Sequence, residues 1–150
     1  MNIRPMTEPD TAKVLEMMRM FYASPAVLSN GSETIFKNDV MACIEENPYL
    51  EGYVFPENDG IAGYAMVAKS FSTEFGKPCI WIEDLYIAPE YRGRGIGTEF
   101  LAYIENKHPD SVLRLEAEAS NHNAIHVYEK CGYECLPYVE IKKASENSSK

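Results

Sequence analysis

The feature that most constrains this chain is Arg92-Gly93-Arg94-Gly95-Ile96-Gly97. Its three alternating glycines stand between an apolar strand-like run at 79–87 and a helical run in which Ile96, Phe100 and Ile104 recur every fourth residue. Glycine accepts the backbone angles that an abrupt turn from strand to helix demands, and the turn leaves N–H groups converging at the positive end of the helix dipole. The next apolar run, 112–117, completes a β-α-β unit whose two strands run parallel. The loop also reads as an anion site. Arg92 and Arg94 are the only basic residues between Lys77 and Lys107, so positive charge gathers where a phosphate would sit. A glycine turn with two solvated arginines is the plainer alternative. No Gly-Lys-Ser/Thr follows, as a Walker loop requires, and the Gly-x-Gly-x-x-Gly spacing of a dinucleotide fingerprint is incomplete.

The rest of the chain is arranged around that unit. Residues 3–6 read as a short strand, at an edge because of Pro5. Asp10 offers an N-cap to a first helix carrying Val14, Met17, Met18 and Phe21. A second helix begins near Ser32 and Glu33, presents Phe36, Val40, Cys43 and Ile44 on one face, and stops before Pro48. Beyond Pro48 the period falls from 3.6 to 2, and 53–55 and 61–70, joined by Glu57-Asn58-Asp59-Gly60, form an antiparallel hairpin. Within 79–87 the phase slips, with Ile80 and Ile82 on even positions and Leu85 and Ile87 on odd ones. One extra residue near Glu83 and Asp84, a β-bulge, would keep all four on one face; a strand buried on both faces would need no phase. A short helix at 121–130 ends at Gly132, a natural left-handed cap, and 133–142 supplies one or two closing strands interrupted by Pro137. The expectation is a single α/β domain over 1–143 and a disordered tail at 144–150.

Composition narrows the function. With 150 residues, 45% hydrophobic and 25% charged, the chain suits one globular domain. Fourteen Lys and Arg against twenty-three Asp and Glu leave a net charge of -9, a field that repels nucleic acid and anionic lipid and attracts amines, although acidity is equally a common way of staying soluble. No apolar run approaches the roughly 20 residues of a membrane helix, and no signal-peptide stretch opens the chain. The reading is a cytoplasmic protein with neither a nucleic-acid nor a membrane partner. Cys43, Cys79, Cys131 and Cys135 have no spacing that completes a zinc site, and His108, His122 and His126 have no triad or metal partner. No metal is expected, and the thiols are taken as reduced and mostly buried.

The string from Asp84 through Leu85, Tyr86, Ile87 and on to Gly97 resembles motif A of the GNAT superfamily of N-acetyltransferases, whose acetyl-CoA pyrophosphate loop has the form Arg/Gln-x-x-Gly-x-Gly/Ala. Arg92, Gly95 and Gly97 match it. The string from Asn121 through Ala124 and Tyr128 to Gly132 is similar to motif B, Asn-x-x-Ala-x-x-x-Tyr-x-x-x-Gly-Phe, with Tyr133 replacing the final Phe. The resemblance covers nearly the whole domain. It implies the GNAT fold, a mixed, mostly antiparallel sheet with a central splayed parallel pair and helices on both faces. It also implies acetyl-CoA as cofactor and CoA as product. The pyrophosphate would lie on Arg92, Gly93, Arg94, Gly95, Ile96, Gly97 and Thr98, and the pantetheine arm along Leu85, Tyr86 and Ile87, against Asn121, Ala124 and Tyr128.

Roles follow from the same resemblance. The Leu85 N–H would polarise the acetyl carbonyl. Tyr128, one turn after Ala124, would protonate the departing thiolate, unless it is a core aromatic. Glu83 would be the general base, a substrate-binding carboxylate or a solvated bulge residue, and Asp84 a further substrate-binding carboxylate. Phe21 and Tyr22, with the loop at 23–31, would wall the acceptor site or else close the core. Trp81 is read as packing, and a homodimer follows by analogy alone. The combined reading is an acetyl-CoA-dependent N-acetyltransferase that transfers acetyl directly to a primary amine, a cationic small molecule such as a polyamine, because residues 82–86 resemble the matching strand of diamine acetyltransferases and of some small-molecule and histone-type members of the family, and the chain is acidic. A protein or peptide N-acetyltransferase, a non-catalytic acyl-CoA-binding module and a phosphate-binding nucleotide module are the alternatives.

Overall fold

The computed structural model describes residues 2–145. A two-residue strand, β1 (Arg4–Pro5), leads into helix α1 (Thr11–Tyr22) and then α2 (Glu33–Ile44). The period-2 stretch that follows becomes β2 (Leu50–Glu57), β3 (Gly60–Ser72) and β4 (Lys77–Ile87). The β-α-β unit is completed by α3 (Ile96–Lys107) and β5 (Val112–Leu115), and α4 (His122–Lys130) follows. The sheet order is β1-β2-β3-β4-β5, antiparallel except for the β4–β5 pair. Pro5 does stand in an edge strand. No helix among the described residues is long and apolar enough to cross a membrane.

The phase slip in β4 is a bulge at Glu83. Ile82 pairs with Val67 and Asp84 with the adjacent Met66, which leaves Glu83 without a partner. Ile80, Ile82, Leu85 and Ile87 consequently share the face that packs on Ile96, Phe100, Leu101 and Ile104 of α3. Tyr86 turns to the other face, beneath Val14, Met18 and Phe21 of α1 and Phe36 and Val40 of α2. Helices therefore cover both faces.

Local chemistry explains most boundaries. The Ser32 Oγ accepts from the Ile35 N–H and caps α2. Gly132, at φ 93°, ends α4. Asp10, however, does not cap α1. Its carboxylate is 5% exposed and takes a fork from Arg4 at 2.7 and 2.9 Å, together with the Thr7 N–H and hydroxyl. A carboxylate with a guanidinium in reach forms the charge-assisted bond in preference to a helix cap. The expected strands at 133–142 are also absent. That stretch has no regular structure and is held by side chains, such as the Tyr138 hydroxyl donating to Glu74 at 2.6 Å. Without closing strands, β5 ends the sheet, and the parallel pair stands at the edge instead of the centre. Of the tail expected at 144–150, residues 146–150 lie outside the described residues. The cysteines are free, but Cys135 is exposed, contrary to the expectation of mostly buried thiols.

Candidate active site

The parallel ladder runs from Cys79 opposite Val112 to Ile82 opposite Leu115 and stops there, just before the bulge. Beyond Glu83, β4 keeps only β3 as neighbour. The Ala88 N–H donates to the Ala62 carbonyl, and alternate residues of an antiparallel strand point the same way, so Tyr86 and Asp84 also face β3. Leu85 and Ile87 face away from it, and the Leu85 N–H points into the splay. The splay is the floor of a cleft of about 710 Å³, with β4 and the glycine loop as one wall and residues 115–121 with α4 as the other.

At one end lies the loop. Gly93 (φ 75°) and Gly95 (φ 78°) adopt left-handed backbone, which places Gly95 at the N-terminus of α3. A Cβ built on Gly93, Gly95 or Gly97 would meet nothing within 4 Å, so the space in front of the loop is open. The first N–H of α3 to find a carbonyl is that of Glu99, which donates to Gly95. The preceding N–H groups of Ile96, Gly97 and Thr98 are the helix's unpaired donors. The Ile96 side chain is buried under the sheet, so only its backbone can serve a ligand. Arg92 donates through Nε to the Ile87 carbonyl at 2.8 Å, and Arg94 donates to the Glu90 carbonyl at 3.0 Å. Both guanidiniums lie over tyrosine rings, Arg92 over Tyr86 and Arg94 over Tyr91. They brace the loop while adding charge to its mouth. Open glycines, a helix N-terminus and two cations fit a pyrophosphate, and the edge at Leu85 and Ile87, which has no strand beside it and whose Ile87 carbonyl alone is taken by Arg92, fits an amide-bearing arm.

Across the cleft, the Asn121 Oδ1 caps α4 by accepting from the Ala124 N–H at 3.3 Å, which leaves its NH₂ as the free donor. Ala124 and Tyr128 line the cleft on one helical face. Tyr128 is half-buried. Burial, and then Cys131, raises its phenol above the usual tyrosine value, so it stays protonated at neutral pH.

The other end is acidic. Phe21 and Ser24, Pro25 and Ala26 cover it, so Phe21 both closes the core and walls the cleft. Tyr22 and Asp84 do not line the cleft. Asp84 is 4% exposed and accepts the Tyr22 hydroxyl at 3.0 Å and the Tyr64 hydroxyl at 2.7 Å, which ties α1 to β3 and β4. Burial raises its pKa, although the two tyrosine hydroxyls pull it down. The Glu83 carboxylate is exposed on the cleft wall. Partial desolvation, then Asp84 and Glu140, raises its pKa. Asp39, which the sequence reading passed over, is pushed up to about 6 by burial and by Asp84 and Glu83. It was detectable, since it lies three residues after Phe36 and four before Cys43 on the buried face of α2. Glu116 lines the cleft opposite Glu83 and is raised to about 7 by a hydrogen bond with Glu140, burial and nearby carboxylates. No sequence pattern announces that pair. Among the described residues, no three His, Cys, Asp or Glu side chains are grouped as a metal ion would need.

The splayed parallel pair and the glycine loop at a helix N-terminus open on one cleft, which fits a pyrophosphate at one end and an extended arm along its floor. The sequence profile described as "Acetyltransferase (GNAT) family" matches residues 15–133, and the chain belongs to that family of acetyltransferases. Thialysine N-epsilon-acetyltransferase of Bos taurus is 34% identical over 88 residues, which is 57% of this chain and 51% of the relative, so the match spans about half that protein's length. The Sus scrofa protein of the same name is 28% identical over 151 residues, 92% of this chain and 86% of the relative. Among solved structures, AAC(6')-Iy in complex with the bisubstrate analog CoA-S-monomethyl-acetylneamine superposes with a TM-score of 0.76, covering 96% of this chain and 97% of that one at 14% identity. That last likeness is one of fold.

Proposed function

We propose that this acetyltransferase uses acetyl-CoA to acetylate the primary amine of a cationic small molecule, binding both substrates together and forming no acyl-enzyme. The observation that carries the reading is the bulge at Glu83. It opens the splay, turns the Leu85 N–H into it and leaves the Glu83 carboxylate on a wall that faces Tyr128 across the cleft. When bound, acetyl-CoA supplies a thioester whose carbon the amine attacks as the carbon–sulfur bond breaks. Gly93 to Thr98 would hold its pyrophosphate. Leu85 and Ile87 would hold the pantetheine arm together with the Asn121 NH₂ and the space beside Ala124.

The Leu85 N–H donates to the carbonyl oxygen as negative charge develops there. Glu83 accepts a proton from the ammonium through water, because an amine of pKa about 10 arrives charged at neutral pH. Its raised pKa makes it a stronger base than an ordinary carboxylate. Tyr128 gives its phenolic proton to the leaving sulfur. Glu83 and Glu116 on the cleft wall, and Asp39, which lies outside that lining but within electrostatic reach of Glu83, make the acceptor end attractive to cations, in line with the net charge of -9. The relatives' name, with its side-chain amine acceptor, agrees with an aliphatic primary amine.

The test is CoA-thiol release over a panel of polyamines, aminoglycosides, amino acids and peptides. The best acceptor should be a small cation whose KM rises with salt as the screening length shrinks to about 3 Å at 1 M. A neutral or anionic best substrate, or a KM indifferent to salt, refutes the electrostatic reading; a peptide as best substrate favours protein acetylation.

A further inference from the structure

Residues 23–31 join α1 to α2 and cover the acceptor end of the cleft, where Ser24, Pro25 and Ala26 stand beside Phe21. They form neither helix nor strand, and Leu28 in their middle is 94% exposed. The first turn is closed by local bonds. The Ala23 N–H donates to the Arg19 carbonyl, the Ser24 N–H to the Phe21 carbonyl, and the Ser24 Oγ to the same Phe21 carbonyl at 2.6 Å. These bonds fasten the loop to α1, so the loop goes wherever the end of α1 goes.

Tyr22, the last residue of α1, ties that end to the sheet. Its hydroxyl donates to the Asp84 Oδ1 at 3.0 Å, immediately after the bulge residue Glu83. Asp84 is itself fixed, by its place opposite Met66 in the β3–β4 pairing and by the Tyr64 hydroxyl on Oδ2 at 2.7 Å. Hydrogen bonds to a carboxylate are the strong ones, and burial, then Asp84, pushes the Tyr22 phenol above its usual value, so it remains the donor. Other ties of the last turn are weaker: the Tyr86 hydroxyl meets only the Met20 sulfur, at 3.7 Å, and the Arg19–Glu33 pair is exposed. The Tyr22 ring also serves the far end of the loop. Its centroid is 5.1 Å from that of Phe36, and a Cβ on Gly31 (φ 65°) would come within 2.4 Å of the Phe36 ring and 3.4 Å of the Tyr22 ring. Both ends of the loop therefore close on one side chain.

We infer, on the reading of this cleft as the site of acetyl transfer, that Tyr22 is a positioning residue: its hydroxyl on Asp84 and its ring against Phe36 and Gly31 hold the 23–31 loop closed over the acceptor end, which sets the affinity for the amine without touching it. A site that is complete only part of the time binds its ligand more weakly in proportion to the closed fraction. Losing the Tyr22 hydroxyl lowers that fraction. The pyrophosphate end, built from Gly93 to Thr98, is indifferent to it, so acceptor and acetyl-CoA should respond differently. Tyr64 supplies the control. It donates to the same carboxylate from β3, away from the loop, and without it Asp84 keeps its backbone position and remains an acceptor for Tyr22.

The experiment compares Tyr22→Phe with Tyr64→Phe in two measurements: steady-state kinetics with whichever amine turns over best, and amide hydrogen exchange of the substrate-free protein. Tyr22→Phe should raise the acceptor KM by about tenfold, leave kcat and the KM for acetyl-CoA within about twofold, and quicken exchange at 26–31 by about tenfold. Tyr64→Phe should lower the melting temperature at least as far, because its hydroxyl is the more deeply buried, and move neither the acceptor KM nor exchange in the loop. Gly31→Ala, which forces a methyl onto the Phe36 ring, loosens the far end and should likewise raise the acceptor KM alone. An unchanged acceptor KM in Tyr22→Phe overturns the inference, whether or not exchange quickens, and so does a Tyr64→Phe protein that behaves in the same way, or a KM for acetyl-CoA that rises in parallel. A neutral best acceptor would refute the electrostatic reading of the substrate and leave this comparison intact. If no amine turns over, unchanged exchange at 26–31 in Tyr22→Phe still overturns the closure.

Discussion

Replacing Tyr128 by Phe removes one oxygen and keeps the ring. The ring centroid is 6.2 Å from that of Tyr133, and the Tyr128 hydroxyl makes no hydrogen bond among the described residues. Folding stability should therefore change by no more than about 0.5 kcal/mol, as for substitutions that break no buried bond. If the phenol protonates the leaving thiolate, its loss should lower kcat by roughly 10²-fold, or about 2.7 kcal/mol of transition-state stabilisation. The affinity for acetyl-CoA should stay unchanged. Because burial raises the phenol's pKa, the alkaline fall of kcat should lie above the ordinary tyrosine value of about 10 and disappear in the variant. The assay is CoA-thiol release under chemistry-limited conditions, with calorimetric CoA binding and a thermal melt on the same preparation. Unaltered kcat removes Tyr128 from the mechanism. A lowered Tm with near-normal kcat makes it a core tyrosine, and a raised KM for acetyl-CoA at constant kcat makes it a binding residue.

Gly95→Val should weaken CoA binding by more than about tenfold while costing about 1–2 kcal/mol of stability through its φ of 78° alone; unchanged calorimetric affinity in the folded variant would exclude this loop as the pyrophosphate site. Asp39 binds its proton more tightly folded than unfolded, so it takes stability away as pH rises from its ordinary 3.8 through about 6. Asp39→Asn should accordingly raise Tm at pH 7.5 and raise KM for cationic acceptors, and a lower Tm would show that the carboxylate is structural. Glu51 is pushed up by burial but brought down to about 2 by Tyr53, Lys69 and Lys107. Its contribution is complete above its ordinary 4.5 and lost as pH falls toward 2, so Glu51→Gln should flatten the acid limb of urea-measured stability. A Cβ on Gly63 would lie 2.1 Å from the Tyr86 carbonyl oxygen; Gly63→Ala should cost about 1–3 kcal/mol, read from the denaturant midpoint, and a neutral result would mean that β3 and β4 separate freely there.

Much of the cleft was legible along the chain because its causes are local. The glycine loop is a matter of permitted φ, and Ser32 and Asn121 cap the helices that follow them. The Glu83 bulge showed itself because side chains alternate every residue along a strand, so one inserted residue shifts the phase of Ile80, Ile82, Leu85 and Ile87 in a way that can be counted. The splay, and the gathering of Leu85, Tyr128 and the loop around one cleft, were implied by the resemblance of 84–97 and 121–133 to the two motifs of the family.

Through-space choices were not legible. Asp10 has the residue type and position of a helix cap, yet Arg4, brought beside it by β1, forms the stronger charged bond. Asp84, adjacent to Glu83 in sequence, lies on the opposite face behind Tyr22 and Tyr64, so of the two carboxylates only Glu83 reaches the cleft. Asp39 is raised by burial and then by Asp84, 45 residues away along the chain, and Glu116 first by its hydrogen bond with Glu140, 24 residues away. The stretch 133–142 alternates like a strand but joins no strand ladder among the described residues. Periodicity and turn chemistry record which way each residue faces and where the backbone bends. Which carboxylate meets a cation, a phenol or another carboxylate depends on distances that exist only once the sheet and helices have packed.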